Sequence, residues 1–515
     1  MMSTLQRLCN DAFQKYLARI VLRIDETEEK LSYSEAEELI VIIEKRLTLE
    51  NVHQGDRICS ISPLNLESIL LAWACFRLGI IFVPIDHSWS KDLINYAIQE
   101  VSPKLVFTSS QIYLSEVFQT ITYDECSECN TFIDWLHKTE IRDIIPDMRN
   151  LTDADEAIIL YTSGSTGYPK GVVLSHGALF RSGKLVTELF EWQSEDIFLN
   201  LGDLHSMSGF RNTCIAPLHV GCSAIIANEK SRSTALMLPE MIKRNNCTLI
   251  GVAPIVISQF NLSANRFDSD TFREVRAILC TGSFLDPKQI KLFYENFSCP
   301  ILNYYGLTET SGLCSGHSFK TFDTEEISIG LEVGATLQIV DEKNNPVPDG
   351  TSGFLRVKSK NLMKGYFKKP TLTQQVLKNK WYYTGDIALK RSDGHIILKG
   401  RSRNIIKNAY SDLIHLEEVE MCLERHPIIS EACICSYSTK YNEERMAAFI
   451  VLREGSDIEN KNTVINKIKS FIESNIGFKK NPHKFIFVKK LKRNKNGKVL
   501  RNKHKESLEN DFKSK

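Results

Sequence analysis

Tyr161-Thr-Ser-Gly-Ser-Thr-Gly-Tyr-Pro-Lys170-Gly171 packs three glycines and four Ser/Thr residues into eleven positions. It follows Ala157-Ile-Ile-Leu160, an apolar run that reads as one short buried strand. A strand opening into such a loop is built to cradle phosphate. Glycine lets successive backbone N–H groups converge on an anion. Thr162, Ser163, Ser165 and Thr166 add hydroxyl donors around Gly164 and Gly167, and Lys170 supplies a point charge. A polar surface turn has the same composition, so neighbouring stretches must decide. A Walker A loop is excluded: it needs Gly-Lys followed by Ser or Thr, and that tripeptide occurs nowhere in the 515 residues.

On either side of the loop, from about Leu105 to Ile250, short apolar runs such as Lys104-Leu-Val-Phe-Thr108 and Cys222-Ser-Ala-Ile-Ile-Ala227 alternate with helical stretches. Strands separated by helices of that length predict an α/β fold with a mostly parallel, doubly wound sheet, whose ligands sit beyond the carboxyl ends of the strands. The apolar run from Ile69 to Ile85 is interrupted by Arg77 and Gly79, and reads as a helix followed by a strand and not as a transmembrane segment. Leu31-Ser-Tyr-Ser-Glu-Ala-Glu-Glu-Leu39 predicts a turn into an amphipathic helix with Ser34 as its N-cap.

Composition narrows the class. A hydrophobic fraction of 43% and a charged fraction of 25% are those of an ordinary globular protein, long enough for more than one core. A net charge of +1 argues against a nucleic acid partner, although the stretch 477–515 is basic, with fourteen Lys/Arg against three Asp/Glu. The N-terminus has charges where a signal peptide needs an apolar core, and fourteen cysteines are scattered without a framework, so a cytoplasmic protein with free thiols is expected. Cys126-Ser-Glu-Cys129 has no second pair nearby and is not read as a metal site.

The loop at 161–171 resembles the signature of the adenylate-forming superfamily, which includes acyl-CoA synthetases, the adenylation domains of peptide synthetases, and luciferases. Further stretches resemble the family's other motifs in the expected order. Cys280-Thr-Gly-Ser-Phe-Leu285 resembles the turn that lies along adenine, through Gly282 and Ser283. Asn303-Tyr-Tyr-Gly-Leu-Thr-Glu-Thr310 resembles the motif that places Tyr304, Tyr305 and Gly306 at the nucleotide, with Tyr305 able to stack on adenine. There Thr308 offers a hydroxyl to phosphate, and Glu309 a hard carboxylate oxygen to Mg2+. Met363-Lys-Gly-Tyr366 resembles the next motif. Trp381-Tyr-Tyr-Thr-Gly-Asp386 matches the one whose carboxylate takes both ribose hydroxyls, and Arg401 of Leu398-Lys-Gly-Arg401 the ribose-contacting arginine.

For the acid, the resemblance points to Asp203-Leu-His-Ser-Met-Ser-Gly209, where His205 or Ser206 takes the family's histidine position ahead of Gly209. Gly251 and Gly312 either leave a tunnel there or are covered by bulky neighbours. Asp203 follows Gly202 and fits the ammonium-binding pattern of amino-acid-activating relatives poorly. Arg403 takes the place of the family's hinge, dividing an N-terminal AMP-binding domain (1–402) from a small mobile C-terminal α+β domain (403–515). That domain carries Lys498 in Arg493-Asn-Lys-Asn-Gly-Lys498, the lysine that bridges carboxylate and α-phosphate. Ser411-Asp-Leu-Ile-His-Leu416 lacks the glycine that relatives place beside the pantetheine arm.

The implied function is ATP- and Mg2+-dependent adenylation of a carboxylic acid, a fatty or other apolar acid favoured, followed by transfer to CoA. Transfer to the phosphopantetheine of a separate carrier protein is the alternative, and a non-catalytic nucleotide-binding relative the other.

Overall fold

Two sheets with parallel centres carry the N-terminal part of the chain. The computed structural model describes residues 3–513 apart from 110–117, 125–129, 138–142, 147, 163–167, 229–231, 233–236, 402–404, 408–412, 439–443, 456–460, 477–479 and 495–496. Ser163, Gly164, Ser165, Thr166, Gly167, Arg403, the Cys126/Cys129 pair and the front of the 408–416 loop therefore lie outside the described residues. The chain divides into two compact units, residues 1–337 with 357–382, and residues 338–356 with 383–515.

In the first unit, a seven-stranded sheet runs in the order Gly365–Tyr366, Lys170–Ser175, Glu156–Thr162, Ile81–Pro84, Arg57–Ile61, Leu105–Thr108, Thr120–Thr122. Its last five strands are mutually parallel and the first two antiparallel. A nine-stranded sheet has a parallel centre of Ile301–Tyr305, Ala277–Cys280, Leu249–Val252, Ile197–Asn200, Ser223–Ile226 and Ile20–Ile24. The two runs read above as strands of one pattern thus fall in different sheets, Leu105–Thr108 in the first and Ser223–Ile226 in the second. Both have the fully buried sequence of central parallel strands.

Local chemistry sets the helix ends. Asn65 caps the helix Leu66–Leu78 by accepting from Ser68 N at 2.8 Å, and Gly79 ends it at φ 70°. The strand Ile81–Pro84 follows directly, the helix-then-strand reading of the apolar run. Arg77, within that helix, pairs with Glu44 at 2.8 Å and with Glu37. The helix Tyr33–Leu49 is capped two residues before the expected Ser34. Ser32 Oγ accepts from Glu35 N at 3.2 Å and the Glu35 carboxylate accepts from Ser32 N at 2.8 Å, so a capping box at Ser32 wins over Ser34.

In the second unit, Ile429–Ser438 pairs antiparallel with Glu444–Leu452, which pairs parallel with Lys484–Phe487. Helices Leu416–Glu424 and Lys461–Ile476 bury Val419, Leu423, Ile468 and Ile472 against Ile434 and Ala448. A further helix, Arg501–Lys513, was not legible in the basic tail. Residues 383–402, expected with the N-terminal domain, group with this unit. Within it Gly400 lies so close to the helix 416–424 that a Cβ would sit 2.7 Å from Glu417 Oε2. The described cysteines are buried free thiols. Among the described residues no helix is long and apolar enough to cross a membrane.

Candidate active site

The carboxyl ends of the two sheets in the first unit meet, and the residues singled out there emerge from them. Asp86 follows the strand Ile81–Pro84 and His205 the strand Ile197–Asn200; His205 Nε2 lies 3.6 Å from Asp86 Oδ2. Leu64, just beyond Arg57–Ile61, donates its N–H to Asp203 Oδ1 at 3.3 Å. This is where open α/β sheets bind ligands.

Lys170 and Glu309 are joined through a tyrosine not among the predicted site residues. Thr162 and Lys170 are register partners in the antiparallel pair that brackets residues 163–169. Tyr366 pairs with Val172 on the neighbouring edge strand, which brings its ring under Lys170, Nζ 5.1 Å from the centroid. Its hydroxyl donates to Glu309 Oε1 at 2.8 Å. Burial first, then the Glu309 carboxylate, push the Tyr366 phenol well above its ordinary range, so it stays a donor. Glu309 is buried in the one-turn helix Thr308–Thr310, and its Oε2 has no hydrogen-bond partner among the described residues. The half-buried Thr308 hydroxyl has none there either.

The turn after Ala277–Cys280 places Gly282 at φ 104° with nothing within 4 Å of where a Cβ would stand, and Ser283 exposed beside it. Gly306 is fixed by close approach: a Cβ would lie 2.4 Å from the Gly312 carbonyl carbon. Tyr304 and Tyr305, consecutive on one strand, point to opposite faces. The Tyr304 ring packs on Phe190 and its hydroxyl accepts from Arg211 at 3.1 Å, so the expectation that both tyrosines face one nucleotide does not hold.

On the acid side the structure separates His205 from Ser206. Ser206 caps the helix Met207–Cys214, its Oγ accepting from Gly209 N at 3.1 Å and donating to Asp203 O at 2.8 Å. Gly209 has no room for a side chain, because a Cβ would lie 2.2 Å from Asp203 O. Asp203 is bound to the buried Arg232 at 2.6 Å. Burial pushes the Asp203 carboxyl up, but Arg232, with His205 and His87, outweighs it and holds the group below its ordinary range. That carboxylate is already committed, which removes it as an ammonium receptor. The tunnel alternative fails at both glycines: Phe198 covers Gly251, and Met207 and Arg211 cover Gly312. Arg211, the only arginine on its helix, was not singled out.

In the second unit, Asp386 and Arg401 are direct cross-strand partners of Trp381–Lys390 and Ile396–Arg401. Asp386 is buried, and its N–H donates to Thr384 Oγ1 at 2.9 Å, which itself donates to Leu355 O at 3.0 Å. Lys498 is exposed on a turn closed by the Arg493–Val499 bridge. Asn494, standing where the resemblance expects Thr, accepts from Lys498 N at 2.8 Å. Arg501 anchors the end of the turn to Glu420 with two contacts of 2.6 Å.

Residues 10–367 match the family model described as "AMP-binding enzyme", and residues 418–498 that of the "AMP-binding enzyme C-terminal domain". The chain belongs to the AMP-binding enzyme family. Among its relatives is the medium-chain fatty-acid–CoA ligase of Escherichia coli (strain K12), 25% identical over 504 residues, 92% of this chain and 85% of that one. Another is the oxalate–CoA ligase of Arabidopsis thaliana, 24% identical, with 97% of each chain covered. The crystal structure of ATP-bound MatB from Rhodopseudomonas palustris superposes with a TM-score of 0.88 at 20% identity, covering 99% of both chains, and so shares the fold. In this AMP-binding enzyme a cation, a carboxylate oxygen and a free hydroxyl stand together at Lys170, Glu309 and Thr308. That set suits a polyphosphate and its counter-ion.

Proposed function

We propose that the chain is an AMP-forming acid–thiol ligase. An acid carboxylate oxygen attacks the α-phosphorus of ATP and the bond to pyrophosphate breaks. A thiol sulfur then attacks the acyl carbonyl, and the bond to AMP breaks. The observation that carries this reading is the Lys170–Tyr366–Glu309 chain at the meeting carboxyl ends of the two sheets. No protein nucleophile is required, because phosphoryl-group chemistry of this kind depends on positioning and charge neutralisation. Glu309 fits Mg2+, since one carboxylate oxygen is oriented by Tyr366 and the other is unengaged among the described residues; the ion would neutralise charge on the phosphates.

The remaining roles are proposals resting on the family. Residues 162–167 and Lys170 hold phosphate, Gly282, Ser283 and Tyr305 the adenine, and Asp386 with Arg401 the ribose. Lys498 stabilises the transferring group, and rotation about Arg403 withdraws it before thiol transfer. CoA is the proposed acceptor. The test is mass spectrometry of reactions supplied with ATP, an acid panel, and either CoA or a phosphopantetheinylated carrier protein. AMP together with an acyl-CoA supports the reading. Thioester on the carrier alone changes the acceptor, and nucleotide binding without AMP release would leave a binding protein in its place.

A further inference from the structure

Among the described residues Arg211 is a buried cation without a counter-ion. It lies on the helix Met207–Cys214 and is 0% exposed. Its side chain makes three hydrogen bonds: Nε to Asn212 Oδ1 at 2.9 Å, Nη1 to Ser182 Oγ at 3.5 Å, and Nη2 to the Tyr304 hydroxyl at 3.1 Å. A guanidinium has five N–H donors, so two remain without an acceptor among the described residues. No described Asp or Glu pairs with it. Burial lowers its proton affinity, opposed by Tyr304 and by no carboxylate.

Two of the other buried arginines are built differently. Arg77 has Glu44 and Arg232 has Asp203, as a purely structural buried charge requires.

The position is as informative as the missing partner. A Cβ at Gly312, which sits at φ 86°, would stand 2.9 Å from Arg211 Nη1, so any side chain there would cover the guanidinium. Gly312 belongs to the same turn as Thr308 and Glu309 and packs back on Gly306. Arg211 thus lies behind the proposed phosphate site, on the side of the 203–209 segment, with Tyr304 and Ser182 around it. Arginine's planar fork matches a carboxylate in two-point contact.

We propose that the acid activated by this enzyme is a short dicarboxylic acid, and that Arg211, with the Tyr304 hydroxyl, binds its distal carboxylate while the other is adenylated. This rests on the acid-activating reading above and replaces the apolar acid expected from the sequence. An alkyl tail ending at Arg211 would leave the charge buried and unpaired, whereas a second carboxylate neutralises it.

The test is acid-dependent exchange of labelled pyrophosphate into ATP with matched pairs: succinate and butyrate, glutarate and valerate, adipate and hexanoate, with octanoate as a longer apolar acid. In the wild-type enzyme, one diacid exceeds its monoacid partner by about ten-thousandfold in kcat/KM, the scale on which a site built to pair a polar group rejects an analogue lacking it. Arg211→Met abolishes that preference, mainly through KM, and Arg211→Lys recovers part of it. Binding of a fluorescent ATP analogue reports whether each variant is folded. The wild-type preference needs no variant, so a misfolded one does not rescue the proposal. Exchange driven by monoacids equally or better overturns the inference and leaves the ligase reading standing. Absence of exchange with every acid overturns both.

Discussion

Tyr366 shows how one side chain organises the phosphate end of the site. It places its ring under Lys170 and gives its proton to Glu309. Tyr366→Phe keeps the ring and removes the donor. Losing a hydrogen bond to a charged acceptor costs about 1.5 kcal/mol, so kcat/KM for MgATP falls roughly tenfold in steady-state assays while the melting temperature barely moves. His176 offers a different test. It is fully buried at the start of the helix His176–Leu189, and burial lowers its pKa to about 4. Between that value and about 6.5 the unfolded chain binds a proton that the native chain does not. The stability it contributes is complete above about 6.5 and is lost as pH falls toward 4, about 3 kcal/mol over the whole interval. Denaturant titrations of wild type and His176→Gln from pH 7 to pH 5 should show a shallower decline in the variant. His219, also lowered to about 4 by burial, remains to give a residual slope.

At the scale of elements, the sequence was most legible where one local signal sufficed. The strand before the phosphate loop, the helix and strand of the 69–85 run, and the two strands around Cys433 and Phe449 lie where hydrophobic patterning puts them. Two residues of displacement of the cap of the helix Tyr33–Leu49 came from two serines, Ser32 and Ser34, each with a Glu at the third position after it; Glu35 closes the box on Ser32, whereas Glu37 pairs with Arg77. Ser32→Ala removes the hydroxyl that accepts from Glu35 N while the backbone half of the capping box stays, and should cost about 1 kcal/mol in thermal or chemical denaturation, with no effect on catalysis. Tyr366 was out of reach because its role depends on a two-residue edge strand pairing with Val172 and Val173, almost two hundred positions away in the chain. Arg211 was hidden for a related reason. A single arginine in a short helix that also carries Ser208, Asn212 and Thr213 reads as one more polar residue until Gly312, Ser182 and Tyr304 are brought around it.

For the molecule as a whole, the motifs identified the family and the α/β fold, and the division of the chain into compact units was the least legible feature. Family motifs mark ligand contacts, while compact units follow packing. Residues 383–402, with Asp386 and Arg401 paired across two strands, group with the C-terminal unit for that reason. The central claim is that this AMP-binding enzyme makes an acyl-adenylate. It is tested most directly by omitting the thiol: enzyme, MgATP and acid are mixed, quenched in acid within one turnover, and examined by mass spectrometry for acyl-AMP. The account predicts an adenylate stoichiometric with enzyme in the wild type. Lys498→Ala, whose altered residue is exposed on its turn, should yield at least about a hundredfold less at equal ATP occupancy. Bound ATP left intact in the wild type with every diacid and monoacid offered would contradict it.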